Sequence, residues 1–230
     1  MFEASGSACA NGNSPVSTQH DLVGRRQPFD AVRVLHPGNR MSIVQLIETR
    51  RFGDARGWFS ETYAEAKYAA LGIDVRFVQD NQSYSAQTGT IRGIHFQTPP
   101  HAQAKLVRCP RGAIIDYAVD LRKGSPTYGE VAFATLSAEN GKQLFVPVGY
   151  GHAFVTLEPD TEVAYKVSDV YSGDCDGGVA WDCPDIGIDW PLPPSGPVLS
   201  DKDAVLPRLL DFASPFVYDG VAMAATGDLG

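Results

Sequence analysis

The sequence has no run of about 18 consecutive apolar residues, the length a helix needs to cross a bilayer. It has only four cysteines, Cys9, Cys109, Cys175 and Cys183, and no Cys-x-x-Cys pair, so neither a zinc site nor a disulfide framework is indicated. Basic residues are in the minority, 19 Lys and Arg against 27 Asp and Glu, for a formal net charge of -8. That balance argues against nucleic acid as a partner and confines any phosphate site to a local basic pocket. The first residues lack the basic and apolar segments of a secretory signal, so the expected location is the reducing cytoplasm. Helical periods of ten or more residues are scarce as well, which makes a parallel α/β fold a poor fit.

What is present is a series of strand-like segments set between 23 glycines and 16 prolines in 230 residues. This pattern predicts an all-β sandwich or barrel with few helices. Residues 1–28 are polar, rich in Gly, Ser and Asn and without period, and are expected to be a disordered tail. Residues 29–210 are expected to form the folded domain and 211–230 a C-terminal tail. Met41 opens the run Ile43-Val44-Gln45-Leu46-Ile47, so Met1 and Met41 both stand as starts.

One helix is expected after Gly57-Trp58-Phe59. Thr62 and Glu65 have the spacing of a capping box, Tyr63, Ala66, Ala70 and Leu71 share a face, and Gly72 can end the helix in left-handed geometry. Strands are expected around 76–78, 90–96, 105–109, 113–121, 131–136, 143–146, 153–157 and 162–167. Asn140-Gly141 predicts a two-residue hairpin between the fifth and sixth of these. The Pro-rich stretch 185–210 is irregular, with Trp181 and Trp190 available to pin it to the barrel.

Two segments match the spacing of the cupin motifs, which predicts a cupin-type double-stranded β-helix, a jelly-roll barrel. Gly141, Pro147, Gly149 and His152 carry the second motif, with Thr156 where Asn is usual; Gly89 and His95, then Lys105 and Gly112, carry the first. A metal-binding cupin would place a second His at position 97 and a Glu at 105, where this chain has Gln97 and Lys105. An ammonium in place of a carboxylate repels a divalent metal, so no metal and no cofactor is expected. The same ammonium suits a developing oxyanion. His95, as a neutral imidazole, could then take an α-proton beside a ketone. A lone strand histidine is more often a satisfied core residue; the cupin spacing is what selects the catalytic reading of His95.

Further motifs lie in order along the chain: Arg56-Gly57 then Glu61; Gln79-Asp80-Asn81; Arg92-Gly93-Ile94-His95-Phe96-Gln97; Gln103-Ala104-Lys105-Leu106-Val107; Leu136-Ser137-Ala138-Glu139-Asn140; Val146-Pro147-Val148-Gly149-Tyr150-Gly151-His152; and Leu199-Ser200-Asp201-Lys202-Asp203. Together these resemble the dTDP-4-dehydrorhamnose 3,5-epimerases over residues 46–206.

The resemblance implies that His95 removes the protons at C3 and C5, that Asp203 orients it, that Tyr165 returns a proton to the opposite face and that Lys105 neutralises the enolate oxygen. It implies that Asp116 and His152 are a supporting polar pair. Arg56, Arg92 and Lys202 match basic residues suited to a diphosphate, and Glu61, Gln79, Asp80 and Asn81 match positions that contact nucleotide or sugar. Asp176 stands where some members carry a ligand-contacting Glu, and Val170 where some carry Tyr. The implied reaction converts dTDP-4-dehydro-6-deoxy-D-glucose to dTDP-4-dehydro-L-rhamnose, in a homodimer that exchanges N-terminal strands. Epimerisation at one carbon only, sugar binding without turnover, and a metal-dependent dioxygenase are the alternatives.

Overall fold

The structure, a computed structural model, describes residues 32–34, 43–223 and 227–230. The tail expected over 1–28 and the choice between Met1 and Met41 lie outside the described residues. In chain order the first elements are β1 (Val32–Val34), β2 (Gln45–Thr49), β3 (Phe52–Asp54), β4 (Gly57–Phe59), helix α1 (Glu65–Ala70), β5 (Gln79–Ser85), β6 (Ile91–Gln97) and β7 (Lys105–Arg111). Then come β8 (Ala113–Asp120), β9 (Val131–Ser137), β10 (Lys142–Val146), β11 (Tyr150–Thr156), β12 (Thr161–Val167), β13 (Asp176–Gly178) and β14 (Gly227–Asp228).

Twelve of these strands form two six-stranded sheets, ordered β1-β2-β10-β7-β12-β5 and β13-β6-β11-β8-β9-β14, while β3 and β4 make a separate hairpin. Neighbours are antiparallel except β14 on β9. This is the all-β architecture that the strand pattern predicts, in the jelly-roll form that the cupin spacing predicts. Its interior is filled from both inner faces by Leu46, Val107, Ile114, Leu136, Leu144, Phe154 and Val163. Each such large side chain, fully buried, contributes on the order of 1.5–3 kcal/mol. The alternation that puts Ile114 and Ala118 inside also turns Asp116 inward and Ile115 and Tyr117 outward.

The outer faces are covered too. Tyr68 of α1, with Ile73, seals the first sheet over Ile47, Leu106 and Phe145. The irregular chain after β13 covers the second sheet: Trp190 Nε1 donates to the Trp181 carbonyl at 2.9 Å, and its ring lies 4.7 Å from that of Tyr117. The expected tail 211–230 is not loose where it is described. Phe216, Met223 and Leu229 are buried, because each supplies an apolar side chain to a core cluster that the barrel strands leave incomplete.

Three local expectations fail for identifiable reasons. The helix starts at Glu65, after Ala64 as N-cap with no side-chain cap; the Thr62 carbonyl instead accepts the Tyr68 hydroxyl at 2.9 Å and the Gln143 amide at 2.8 Å. Tyr68 rather than Ala66 or Ala70 is the buried residue of α1, although Gly72 does end it at φ +84°. Asn140-Gly141 is not a hairpin turn, since β9 and β10 belong to different sheets. Asn140 Oδ1 instead accepts the backbone N–H groups of Ser137 and Lys142, and only Gly141 takes a positive φ. The strand expected at 76–78 lies at 79–85, where Gln, Asp, Asn, Gln and Ser hide any apolar alternation.

Candidate active site

At one end of the sandwich the apolar interior gives way to polar side chains. A cavity of about 340 Å³ is lined by Gln79 and Asn81 of β5, His95 and Gln97 of β6, Lys105 of β7 and Tyr165 of β12. Gln82, Phe96, Gln103, Tyr171, Asp176 and Lys202 complete its wall. Lys105 and Tyr165 stand on adjacent strands of the first sheet, and His95 stands on the second, so the cavity is served from two opposing sides.

Local sequence explains how His95 reaches it. Where β6 runs against β11 the register slips between His152 and Phe154, and Gly93 takes φ +130° at that point. A Cβ on residue 93 would sit 2.4 Å from Ala153 Cβ and 2.7 Å from the His152 carbonyl oxygen, so only glycine fits. Beyond this irregularity His95 pairs with His152 and turns into the cavity.

His95 is about 29% exposed through its side chain, and its Nε2 lies 2.6 Å from Asp203 Oδ1. Asp203 is buried in a short 3-10 turn (Asp203–Val205), where its own N–H donates to Ser200 Oγ at 3.1 Å. Burial alone would raise its carboxyl, but the bond to His95, together with the contacts to Ser200 and the Gly93 backbone, holds it below the usual carboxylate range. A buried acid behind a half-open imidazole fixes both the ring plane and the tautomer.

Lys105 is buried, and desolvation pushes its ammonium down to about 8, against the partial support of Asp116 and Asp176. Asp116 and His152 form a second pair behind it, Nε2 to Oδ1 at 2.7 Å. Burial raises the Asp116 carboxyl and lowers the His152 imidazole. Asp116 Oδ2 has no hydrogen-bond partner among the described residues. Asp116 is wholly enclosed and does not line the cavity; it lies close enough to Lys105 to favour the ammonium. Tyr165 packs its ring on the interior cluster, 6.4 Å from His152, and burial raises its phenol.

Of the residues singled out from the sequence, His95, Lys105, Tyr165, Gln79, Asn81, Asp176 and Lys202 line one cavity. Asp203 and the pair Asp116 and His152 stand directly behind it. Arg92 is tied to the end of β5 through the Tyr84 carbonyl at 2.9 Å and is close enough to influence Tyr165. Lys202 is paired with Asp176. Asp80 does not join them: strand alternation turns it to the other face of β5, where it binds Lys166 at 2.8 Å. Arg56, about 90% exposed, binds Asp54 on the β3–β4 hairpin, and Glu61 binds Lys67 at 2.7 Å; neither lines this chain's cavity. Motif spacing missed two lining residues, Gln82 on the polar strand β5 and Tyr171, whose segment has no periodicity and whose placement is entirely tertiary.

A buried cation, an oriented imidazole and a phenol across a cavity can move protons at a carbon beside a carbonyl, which defines a cupin-type isomerase. The profile of the dTDP-4-dehydrorhamnose 3,5-epimerase family matches residues 40–211, and the chain belongs to that family. It is 53% identical over 175 residues to the dTDP-4-dehydrorhamnose 3,5-epimerase of Sinorhizobium fredii, covering 76% of this chain and 89% of that one. The Bacillus anthracis epimerase structure with TDP and PPi bound superposes with a TM-score of 0.73 at 48% identity, covering 77% of this chain and 99% of that one. The Legionella pneumophila enzyme in complex with dTDP-4-keto-L-rhamnose gives 0.72 at 38% identity, covering 78% and 93%. Among the described residues, no helix is long and apolar enough to cross a membrane.

Proposed function

We propose that this chain converts dTDP-4-dehydro-6-deoxy-D-glucose to dTDP-4-dehydro-L-rhamnose by inverting C3 and C5. What carries the reading is the convergence of His95 and Tyr165 from opposite sheets on one cavity beside Lys105. His95, oriented by Asp203, takes the proton from one face of the sugar. The electron pair moves onto the C4 oxygen, whose charge Lys105 stabilises in a dry setting where an ammonium acts strongly. The Tyr165 hydroxyl then gives a proton to the other face, which inverts the carbon. Between rounds the imidazolium releases its proton and the phenolate recovers one from water. Repeating this at the second carbon on the other side of the ketone completes the epimerisation.

Lys202 and Arg92, near the cavity, suit the diphosphate, and Gln79, Asn81 and Asp176 suit the sugar and nucleotide. Arg56, exposed with Trp58 and Phe59 on the β3–β4 hairpin, and the half-buried Glu61 beside it are assigned to the partner's site in a homodimer that exchanges N-terminal strands. Light scattering should give twice the 24.8 kDa chain mass. The three described cysteines are free and buried, in keeping with a cytoplasmic location.

Incubation with the 4-keto sugar nucleotide in D₂O tests the reaction. Deuterium at both C3 and C5 together with the L-rhamno product is expected; deuterium at one carbon would make the chain a single-site epimerase, and none at either would end the enzymatic reading.

A further inference from the structure

Segment 169–172, between β12 and the turn before β13, forms part of the cavity wall and has no strand to pair with. Its backbone is held by side-chain amides. Gln97 Nε2 donates to the carbonyls of His101 at 2.7 Å and Val170 at 3.1 Å, while its Oε1 accepts the Ser172 N–H at 2.7 Å. Gln103 Nε2 donates to the Asp169 carbonyl at 2.8 Å, and Gln79 Oε1 accepts the Tyr171 N–H at 3.1 Å. Three glutamines, from β5, β6 and the link to β7, thus converge on four consecutive residues. Gln97 makes two of the four bonds to this segment, spends a third on the His101 carbonyl, and is only about 4% exposed.

The consequence falls on Tyr171. Its ring, about 63% exposed, stands at the cavity, and its hydroxyl donates to Asp176 Oδ2 at 3.3 Å, the oxygen that also receives Lys202. Gln97 sits two residues from His95 on the same strand, so one element holds both the imidazole and segment 169–172. We propose that Gln97 is a positioning residue, which holds segment 169–172, and through it Tyr171, at the distance from His95 that the sugar requires. The amide side chain is suited to this because it donates and accepts at once, which neither a carboxylate nor a thioether can do. This rests on the reading of the cavity as the sugar site.

Gln97→Met keeps the volume and removes all three bonds; Gln97→Glu keeps the acceptor for Ser172 but sets a carboxylate against two carbonyl oxygens. Both variants should raise KM for the 4-keto sugar nucleotide at least tenfold and lower kcat much less, with the melting temperature showing that each is folded. The proposal predicts that Gln97→Met adds little to a Tyr171→Ala chain, because both changes remove the same contact. Native constants in both Gln97 variants, or fully additive losses with Tyr171→Ala, would overturn it. Calorimetric binding of unreactive dTDP-glucose separates this from the reaction itself. If the native chain binds it but turns over no 4-keto sugar, the epimerase reading fails, and the clamp still stands on a tenfold weaker affinity in Gln97→Met or falls on an equal one. No binding by the native chain would overturn both.

Discussion

Asp203 Oδ1 lies 2.6 Å from Nε2 of His95, although the two residues are 108 positions apart in the chain. The acid is buried and the imidazole opens on the cavity, so the acid's effect on the reaction is exerted through the ring. Asp203→Asn keeps the shape but removes the charge that stabilises the imidazolium. Its turnover should fall by about 10²–10⁴-fold while its melting temperature stays near native. A near-native rate in steady-state assays would remove Asp203 from the mechanism.

Lys105 supplies the pH dependence. Burial lowers its ammonium from 10.5 to about 8, so the cation proposed to meet the enolate oxygen is lost as pH rises through about 8. The kcat/KM profile should fall on its alkaline side with that midpoint. Stability should not follow it: above pH 8 the folded chain holds fewer protons at Lys105 than the unfolded chain, so its contribution to stability rises up to about pH 10.5. Lys105→Met should cost about 10²–10³-fold in kcat, abolish that limb and leave the fold at least as stable. A limb unchanged in Lys105→Met would assign it to another group.

Much of this site was legible because the residues that build it obey short-range rules. The spacing of Gly89, His95, Lys105 and Gly112 marks a cupin strand pair, and the ammonium at 105 reads directly as chemistry. Strand β5 was hidden because Gln79 to Ser85 are polar on both faces, one turned to the cavity and one to solvent. The placement of Tyr171 was hidden because its segment depends on amides from three distant elements. Asn140-Gly141 misled because the turn chemistry is local, whereas the assignment of β9 and β10 to different sheets is decided by the whole barrel. Phe216 and Leu229 could not be told from tail residues without the incomplete core they fill.

Gly93 is the structural counterpart of His95. With φ at +130° and a Cβ position 2.4 Å from Ala153, Gly93→Ala should destabilise the fold by at least about 1–3 kcal/mol and misplace the imidazole. Thermal denaturation beside activity checks both effects; a native melting temperature would show that β6 and β11 can separate freely there.

Metal removal should have no effect. The amide of Gln97 is committed to three backbone groups, and Lys105 repels a divalent cation. Prolonged dialysis against EDTA should leave the turnover number unchanged, and a loss restored by iron, nickel or zinc would revive the dioxygenase alternative.

The central claim is that two groups on opposing sheets serve opposite faces of one sugar, and Tyr165→Phe in D₂O tests it most directly. With the phenol gone and His95 intact, deuterium should still enter the 4-keto substrate from the face that His95 serves, while the inverted product is lost. Inverted product at the native rate from a folded Tyr165→Phe chain would contradict the account.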